Sequence, residues 1–522
     1  MIIKGPYPDV TIPETALTPF VLQRAQELAD KPALIDGPTG REVTYRQLAD
    51  SISIVAHNLA QRGFKKGDVF GILSPNCPEY AIAFHAVATL GGIVTPINPL
   101  YTRPEIVHQL KNSGARFLVT LPSCAEKASE AIADAGVEEL FVFGTAPGAT
   151  PFDSLLVDNG RAEQVAVNPF EDLVVLPYSS GTTGLPKGVM LTHHNIVANL
   201  CQAEGLCYFY ETDTLICVLP LFHIYGLVVV LNLGLYTGST VVLMPRFDLE
   251  TFLKAMRDYD VSLAHIVPPI VLALSKHPIV DNYKLPRLRT LFSGAAPLGE
   301  ELTRECMARL GCNVRQGYGM TETSPVTHSS PAPPFELKLG SVGVAAPNTE
   351  CKIVDLESGE ALGPGEKGEV CVRGPQIMKG YLNNPEATAR TIDSDGWLHT
   401  GDIGYVDEGG NFFIVDRAKE LIKYKGFQVP PAELEAVLLT HPCVADAAVI
   451  PYPDDEAGEV PKGIIVQKQP VEAAALLEFV AERVAPHKRI RHIEFVDKIP
   501  KSPSGKILRR MLVDIEKARI AG

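Results

Sequence analysis

The sequence predicts an α/β fold in which a large N-terminal domain of several subdomains precedes a smaller α+β C-terminal domain. Its 522 residues are enough for several hydrophobic cores. The composition, 46% apolar and 21% charged, is typical of a globular protein. Helical and buried-strand patterns alternate along the chain, and this alternation indicates parallel-type sheets flanked by helices.

The individual elements follow from local patterns. Residues 44–47 resemble a capping box, which begins an amphipathic helix that ends near residue 61. Pro430 and Pro431 begin a helix that ends near residue 439, because proline is favoured in the first helical turn. Between residues 340 and 380, glycine and proline punctuation predicts a small β unit. Buried strands are predicted at 69–74, 173–178, 215–219, 288–292, 444–450 and 463–467, and further helices at 79–90, after Asn195 and at 471–484.

Charge and cysteine usage restrict the partners of the chain. A net charge of -14 disfavours non-specific nucleic-acid binding, because a polyanion would be repelled. Ten cysteines occur without a CxxC pair, which argues against a zinc site and against a disulfide framework. No apolar run is long enough for a membrane span and the N-terminus lacks a signal-peptide pattern, so we expect a cytoplasmic protein without a transmembrane segment.

The most informative segment is 178–195, in which serines, threonines, glycines and Lys187 follow an apolar strand. Glycines let backbone N–H groups approach phosphate oxygens, hydroxyls add donors, and Lys187 supplies a positive charge. A Walker P-loop is excluded, since that motif needs Gly-Lys followed by Ser or Thr, whereas Lys187 lies between Pro186 and Gly188. The pattern therefore predicts a polyphosphate cradle of another kind, with an ordinary surface loop as the structural alternative.

Four further features give this cradle a context. Residues 293–297 form a turn of small residues, where the backbone can lie against a planar base or acyl group. Glu322 is a hard oxygen ligand suited to Mg²⁺. Asp402 and Arg417 offer an acceptor and a donor fork for a ribose diol. Lys506 stands on a glycine-flanked turn before a basic helix, and each of these features alone also fits an ordinary core or loop segment.

Taken together and in order, these strings resemble the acyl-adenylate-forming superfamily of acyl-CoA synthetases, adenylation domains and beetle luciferases, and in particular its plant-type 4-coumarate:CoA ligases. Residues 176–189 are similar to the family's first signature box and residues 368–374 to its second. The strings at 316–322 and 416–428 also stand where the family has them. The resemblance implies an AMP-binding N-terminal domain over residues 1–416 and a mobile C-terminal lid over residues 417–522, with a hinge near 416–419.

The resemblance implies a two-step reaction. A carboxylate and ATP give acyl-AMP and pyrophosphate, and the thiol of CoA then attacks the mixed anhydride to give acyl-CoA and AMP. Two anions meet in the first step and no protein nucleophile is needed, so the site mainly supplies positive charge and positioning. By resemblance, Lys506 bridges the carboxylate and the α-phosphate, and His223 positions the carboxylate or gates the thiol, unless it is a packed core histidine.

The resemblance also assigns the ligand-binding residues. The β- and γ-phosphates of ATP would be held by Ser179, Ser180, Gly181, Thr182, Thr183, Gly184 and Lys187. Mg²⁺ would be held by Thr182 and Glu322. The AMP moiety would contact Ala295, Gln316, Gly317, Tyr318, Thr321, Asp402 and Arg417, with Lys419 at the hinge. After adenylation the C-terminal domain would rotate and bring in Lys423, Lys425, Gly426 and Gln428 for AMP and CoA, with Arg246 as a contact of the CoA phosphates.

The acyl pocket departs from the plant ligases that the chain resembles. Those enzymes usually carry Asn and Lys where this chain has Val228 and Phe292, and both replacements remove polar partners. A phenolic hydroxyl would therefore contribute less binding free energy in this pocket, and an apolar tail would be less unfavourable there. We expect an aromatic propenoate or a medium-chain acid rather than a strictly hydroxylated cinnamate. The other wall residues would be Ile224, Tyr225, Val229, Gly294, Pro325 and Val326.

Other functions stay open at the level of the sequence. The chain is alternatively a synthetase for longer fatty acids, a ligase that hands its acyl group to a carrier protein, or a luciferase-like oxygenase. The string that begins at His223 lacks the acid with which amino-acid-selecting modules hold the substrate amine. A nucleotide- or acyl-binding protein without catalysis is disfavoured by Lys187, Glu322 and Lys506. We expect a monomer or a homodimer.

Overall fold

The computed structural model describes residues 1–179, 186–207, 209–331, 336–425, 427–454, 457–502 and 505–521. The strands, numbered along the chain, are β1 (Ile3–Lys4), β2 (Pro32–Asp36), β3 (Glu42–Thr44), β4 (Val69–Leu73), β5 (Ile93–Ile97), β6 (Ala115–Thr120), β7 (Glu139–Val142), β8 (Thr150–Pro151), β9 (Leu173–Val175), β10 (Tyr178–Ser179), β11 (Lys187–Thr192), β12 (Thr214–Cys217), β13 (Thr240–Leu243), β14 (Leu263–Ile266), β15 (Thr290–Ser293), β16 (Asn313–Gly319), β17 (Val326–Ser329), β18 (Val344–Ala345), β19 (Glu350–Val354), β20 (Gly368–Arg373), β21 (Gly380–Tyr381), β22 (Leu398–Val406), β23 (Phe412–Arg417), β24 (Ile422–Tyr424), β25 (Phe427–Val429), β26 (Val444–Asp454), β27 (Gly458–Gln467) and β28 (His492–Phe495).

The α-helices are α1 (Leu17–Val21), α2 (Tyr45–Gln61), α3 (Pro78–Thr89), α4 (Arg103–Ser113), α5 (Ala125–Ala135), α6 (His193–Cys207), α7 (Leu233–Tyr236), α8 (Leu249–Asp258), α9 (Pro268–Lys276), α10 (Glu300–Leu310), α11 (Pro385–Thr391), α12 (Pro431–Leu439), α13 (Ala473–Ala481) and α14 (Arg509–Ala521). A π-helix covers Tyr225–Asn232, and short 3-10 turns cover Pro122–Cys124, Phe152–Leu155, Pro278–Asn282, Thr321–Thr323 and Pro486–Lys488. Within the described ranges, no helix has both the length and the apolar character that crossing a bilayer requires.

Two large sheets form the body of the molecule. The first has the strand order β10-β11-β9-β5-β4-β6-β7-β8, with β21 paired to β11. Its strands β4, β5, β6 and β7 pair in parallel, and β4 is buried along its whole length. A strand without a polar face needs helices on both sides of its sheet, and helical and strand segments alternate here as that arrangement requires.

The second large sheet positions the site described below. Its strand order is β18-β17-β16-β15-β14-β12-β13-β2-β3. Each strand from β16 to β2 in this order pairs in parallel with the next one. In the register of β14, β15 and β16, Ile266, Ser293 and Gln316 lie side by side. The carboxyl ends of these strands therefore open onto one edge, which is where open α/β sheets bind their ligands.

Two smaller sheets complete the chain. The antiparallel sheet β1-β19-β20-β22-β23 contains the predicted small β unit. The C-terminal sheet β25-β24-β27-β26, with β28 parallel to β27, packs on α12 and α13 around its own apolar cluster from Ile422 to Ile490. A separate cluster spans both large sheets. The separate clusters fit the predicted two-domain division, whose boundary at residue 416 stays a prediction.

Most of the predicted elements are confirmed, and so is the α/β fold class. Helix α2 begins at the predicted capping box, in which Thr44 Oγ1 accepts the N–H of Gln47 at 3.2 Å and Gln47 Oε1 accepts the N–H of Thr44 at 2.9 Å. The single strand predicted at 173–178 is wrong, because the chain forms the separate strands β9 and β10 there. Pro177 lies between them and has no N–H to donate to a sheet.

Candidate active site

A cavity of about 1490 Å³ opens at the carboxyl ends of β14, β15 and β16 and extends to the C-terminal helix α14. It is therefore lined by both the N-terminal body and the last segment of the chain. The predicted site residues that line it are Ser179, Lys187, His223, Ile224, Tyr225, Val229, Phe292, Gly294, Ala295, Gly317, Tyr318, Thr321, Glu322, Pro325, Val326, Arg417, Lys419 and Lys506.

One end of the cavity is built around the buried carboxylate of Glu322, which is 5% exposed. Its Oε1 accepts hydrogen bonds from the hydroxyls of Ser179 at 2.9 Å and Tyr381 at 2.8 Å. Lys187 Nζ lies 4.5 Å from the centre of the Tyr381 ring. A cation, a carboxylate and two hydroxyls thus meet where β10 and β11 pair. The predicted residues Ser180, Gly181, Thr182, Thr183 and Gly184 lie outside the described part of the chain.

A second polar group surrounds Asp402, which is 5% exposed. Its carboxylate accepts a hydrogen bond from the hydroxyl of Tyr318 at 2.6 Å and pairs with Arg417 Nε at 3.3 Å. Burial, together with the neighbouring charge of Asp402, raises the pKa of Tyr318 well above its usual value, so that the phenol remains a donor. Asp402 does not itself line the cavity, whereas Tyr318 and Arg417 do.

Lys506 reaches the cavity from a tight turn. The backbone N–H of Ser502 donates to the carbonyl of Lys506 at 2.7 Å, and Gly505 adopts a φ of 78°, in the left-handed region. A Cβ atom at Gly505 would lie 3.0 Å from Cγ2 of Val267, so the turn is in close contact with the N-terminal body. Burial and the nearby Arg417 lower the pKa of Lys506 to about 8, and burial with the charge of Lys506 lowers the pKa of His223 to about 4.

Another part of the cavity wall carries His223, Tyr225, Val229 and Gly294. Nδ1 of His223 accepts the backbone N–H of Tyr225 at 3.2 Å, which fixes the imidazole at the start of the π-helix. Gly294 packs against the Tyr225 ring, because a Cβ atom there would lie 2.8 Å from its Cε1. Val229 lines the cavity, whereas its neighbour Val228 is buried outside the lining.

Several predicted residues lie away from this cavity. Gln316 is buried, and its Nε2 donates to the carbonyl of Leu298 at 3.2 Å. Arg246 is exposed on another surface, and Lys423 and Lys425 are exposed on the hairpin of β24 and β25. Gly426 lies outside the described residues, and for Gln428 only the backbone is described.

The sequence analysis did not predict two polar features at the cavity, a cluster of Glu369, Cys371 and His399 and the single residue His265. Glu369 Oε1 accepts the N–H of Gly401 at 2.9 Å, and its Oε2 lies 2.8 Å from Nδ1 of His399. Cys371 Sγ is 3.5 Å from the same nitrogen, and the three donor groups lie within 4.8 Å of one another. Because the Glu369 carboxylate already accepts from two donors that precede Asp402 in β22, we interpret this cluster as a support for the irregular part of β22 around Gly401. His265, which also lines the cavity, was the second omission.

Two family models match the chain. The model described as AMP-binding enzyme matches residues 21–382, and the one described as AMP-binding enzyme C-terminal domain matches residues 433–506. The 4-coumarate–CoA ligase 3 of Oryza sativa subsp. japonica is 46% identical over 532 residues, which cover 100% of this chain and 95% of the relative. The 4-coumarate–CoA ligase 1 of Petroselinum crispum is 45% identical, with coverage of 100% and 97%.

Solved structures are similar over nearly the same length. An anthranilate CoA ligase, AuaEII, in complex with anthranoyl-AMP superimposes with a TM-score of 0.90 at 28% identity, covering 98% of this chain and 99% of that one. A benzoate CoA ligase from Burkholderia xenovorans LB400 gives a TM-score of 0.86 at 28% identity, covering 95% and 99%.

Proposed function

Because the chain belongs to the AMP-binding enzyme family, we propose that it is an ATP-dependent carboxylate:CoA ligase that acts on an aromatic propenoate. One observation carries the proposal: Lys187, Glu322 and Lys506 line one cavity, although Lys506 belongs to the last segment of the chain. Such a site surrounds a polyanion with charges from both parts of the molecule, as an adenylation requires.

The end of the cavity around Glu322 would bind the β- and γ-phosphates of ATP. Lys187 supplies the positive charge and Ser179 a hydroxyl donor. Glu322 fits a Mg²⁺ ligand, because it is a buried carboxylate whose described hydrogen-bond partners are two hydroxyls. The ion, when bound, would neutralise phosphate charge. Thr182, the second predicted ligand, remains a proposal from the sequence.

In the first step the substrate carboxylate attacks the α-phosphorus of ATP, and the bond to the pyrophosphate leaving group breaks. Lys506 would stabilise the negative charge that builds between the two anions. At an effective dielectric of about 20, one charge at ~4 Å is worth about 4 kcal/mol, or roughly three orders of magnitude in rate. Tyr318, Asp402 and Arg417 would hold the ribose.

His223 would orient the substrate carboxylate as a neutral donor. With the pKa of His223 lowered to about 4, the ring is uncharged at neutral pH. Its Nδ1 already accepts from Tyr225, so the proton is on Nε2 and can be donated to a carboxylate oxygen.

In the second step the sulfur of CoA attacks the acyl carbonyl and the thiol proton passes to solvent, while AMP leaves with the electrons of the anhydride bond. We propose that the C-terminal sheet first turns about the segment 416–419. This rotation would withdraw Lys506 and bring in Lys423, Lys425, Gly426 and Gln428, with Arg246 at the CoA phosphates.

The free thiols of the described cysteines support the proposed cytoplasmic location, since they suit a reducing compartment.

The test is ATP- and CoA-dependent formation of AMP across cinnamates, benzoates and fatty acids, with cinnamates expected to react fastest. In Lys506→Ala, pyrophosphate release should fall by about a thousandfold, while CoA still converts added acyl-AMP. An equal loss in both half-reactions would contradict the assignment of Lys506, and the absence of AMP with every acid would contradict the ligase itself.

A further inference from the structure

Tyr381 connects two groups of opposite charge at the end of the cavity around Glu322. Its hydroxyl donates a hydrogen bond to Oε1 of Glu322 at 2.8 Å, and the centre of its ring lies 4.5 Å from Nζ of Lys187. The side chain lines the cavity and is mostly buried. A single rigid side chain thus contacts both the carboxylate that fits a Mg²⁺ ligand and the lysine that would bind phosphate.

The backbone around Tyr381 is held by other elements. Strand β21 pairs with β11, and Tyr381 lies opposite Val189 in that register. The N–H of Tyr381 donates to Oγ1 of Thr388 on α11 at 2.9 Å. A Cβ atom at Gly380 would lie 2.8 Å from Cγ2 of the same threonine, so β21 packs closely on α11. The position of the Tyr381 ring is therefore fixed independently of the two groups that it contacts.

The two oxygens of Glu322 have different surroundings. Ser179 and Tyr381 both donate to Oε1, whereas Oε2 accepts no hydrogen bond from the residues that the structure describes. Two donors occupy the lone pairs of one oxygen and leave those of the other for a ligand. They also fix the terminal torsion of the glutamate, which is otherwise broad. Glu322 therefore presents one oriented oxygen to a hard cation.

The hydroxyl of Tyr381 acts as a donor in this contact. Burial and the negative charge of Glu322 raise the pKa of Tyr381 above its usual value, so the phenol keeps its proton. Carboxylates that bind metal ions are usually held by such neighbouring donors, and loss of a donor typically lowers metal affinity by about 10- to 100-fold. The ring face, in turn, attracts the ammonium group of Lys187.

We propose that Tyr381 is a positioning residue for the metal–triphosphate complex: its hydroxyl orients Glu322 as a metal ligand, and its ring holds Lys187 beside that ligand. The inference rests on the proposed function and adds a residue to it that acts through two others. Because the hydroxyl and the ring face carry separate tasks, substitutions can remove them one at a time.

The test measures how much Mg²⁺ tightens the binding of α,β-methylene-ATP, a non-reacting analogue, by calorimetry with Mg²⁺ and with EDTA. Tyr381→Phe removes the hydroxyl but keeps the ring. In this variant the gain in affinity from Mg²⁺ should fall by about tenfold. Binding in EDTA should change less than about twofold, because the ring still contacts Lys187.

Tyr381→Leu removes the ring as well as the hydroxyl. It should lose the same gain from Mg²⁺ and should also weaken binding of the analogue in EDTA by about threefold, because Lys187 no longer has an aromatic face beside it. Tyr236→Phe is the matched control, since the hydroxyl of Tyr236 donates to the exposed Glu204 at 3.0 Å. It should change neither dissociation constant.

A double substitution tests whether Tyr381 acts through Glu322. Once Glu322→Gln has removed the metal ligand, adding Tyr381→Phe should reduce the remaining gain from Mg²⁺ by less than about twofold, because residues that share one interaction are not additive. A further tenfold loss in the double variant would show that Tyr381 does not act through Glu322, and it would overturn the inference.

The remaining outcomes separate this inference from the proposed function. If Tyr381→Phe keeps the full gain from Mg²⁺, or weakens binding equally with and without the ion, Tyr381 does not position the metal ligand, although the ligase assignment stands. If the unmodified protein does not bind the analogue and no acid releases pyrophosphate, the proposed function fails, and this inference fails with it.

Discussion

At the scale of single residues, the proposed adenylation would depend on Lys506, which loses its proton in the mildly alkaline range. Burial and the positive charge of Arg417 lower the pKa of Lys506, while Glu420 and Asp402 partly offset this effect. The ammonium form is present below a pKa of about 8 and is lost above it. A residue that stabilises negative charge only in its protonated form will make adenylation sensitive to alkaline pH.

We therefore predict that kcat/KM for pyrophosphate release falls about tenfold per pH unit above a pH of about 8. CoA is left out of the assay, because a thiol titrates near pH ~8.5. In Lys506→Arg the residual activity should stay flat from about pH 7 to 9.5, since a guanidinium keeps its proton there.

Lys501→Arg is the matched control, because Lys501 stands on the same turn but pairs with Asp446 at 2.7 Å outside the cavity. It should keep the pH profile of the unmodified protein. An alkaline fall that persists in Lys506→Arg would assign the titration to another group.

The carboxylate of Glu322 provides a second prediction at this scale. Glu322→Gln keeps an oxygen acceptor for the hydroxyls of Ser179 and Tyr381 but removes the charge. The Mg²⁺ concentration for half-maximal pyrophosphate release should rise about tenfold or more, because a neutral amide is a poor ligand for this ion. The melting temperature should change little.

The control for Glu322 is Glu204→Gln. Glu204 also accepts a tyrosine hydroxyl, that of Tyr236 at 3.0 Å, but on the surface. Its substitution should leave the Mg²⁺ dependence unchanged. If Glu322→Gln shows an unaltered Mg²⁺ titration, Glu322 is a structural acceptor rather than a metal ligand.

At the scale of elements, neighbouring strands of the small β sheet fix the irregular part of β22 that contains Asp402. Cys371 on β20 lies opposite His399 on β22, and Glu369 holds both His399 and the N–H of Gly401. The carbonyl of Gly401 accepts the N–H of Ala418, which links this part of β22 to the predicted hinge. Under the proposed function, Glu369 would therefore be a positioning residue for the group that holds the ribose.

Glu369→Gln should loosen this part of β22, because the amide has a single acceptor oxygen and its NH₂ group cannot accept a hydrogen bond from His399 or Gly401. We expect the KM for ATP to rise about tenfold, with the KM for the acid changed less than about threefold. Glu350→Gln, on β19 of the same sheet, removes an ion pair with Arg373 and should change neither constant. Equal increases in both KM values would indicate a general loss of structure instead.

At this scale the sequence predicts those elements that are determined by residues close together in the chain. Helix α2 was predictable because Thr44 and Gln47 satisfy its first N–H groups within four residues, and β4 because its residues are apolar on both faces. Lys187 and Glu322 were predictable because their types and neighbouring residues match a family pattern. His265 was not, since a histidine within an apolar strand has the appearance of core until strand pairing places it beside Phe292 and Tyr225.

At the scale of the whole molecule, the C-terminal part presents two lysine-bearing surfaces. Lys506 faces the cavity, and Lys425 is exposed on the hairpin of β24 and β25. Under the proposed function, each half-reaction would use one of these two surfaces. The arrangement described here is the one that suits the first half-reaction.

We predict that Lys425→Ala leaves pyrophosphate release within about twofold of the unmodified protein and slows the transfer of added acyl-AMP to CoA by about tenfold or more. The physical reason is that Lys425 would meet the nucleotide and CoA only after the C-terminal sheet has turned. Lys506→Ala should show the reverse pattern, so the two substitutions test the two orientations separately. Lys468→Ala, at an exposed position on the same C-terminal part, should affect neither step. Loss of both half-reactions in Lys425→Ala would mean that this surface serves the fold, and the proposal of a turning C-terminal sheet would lose its main support.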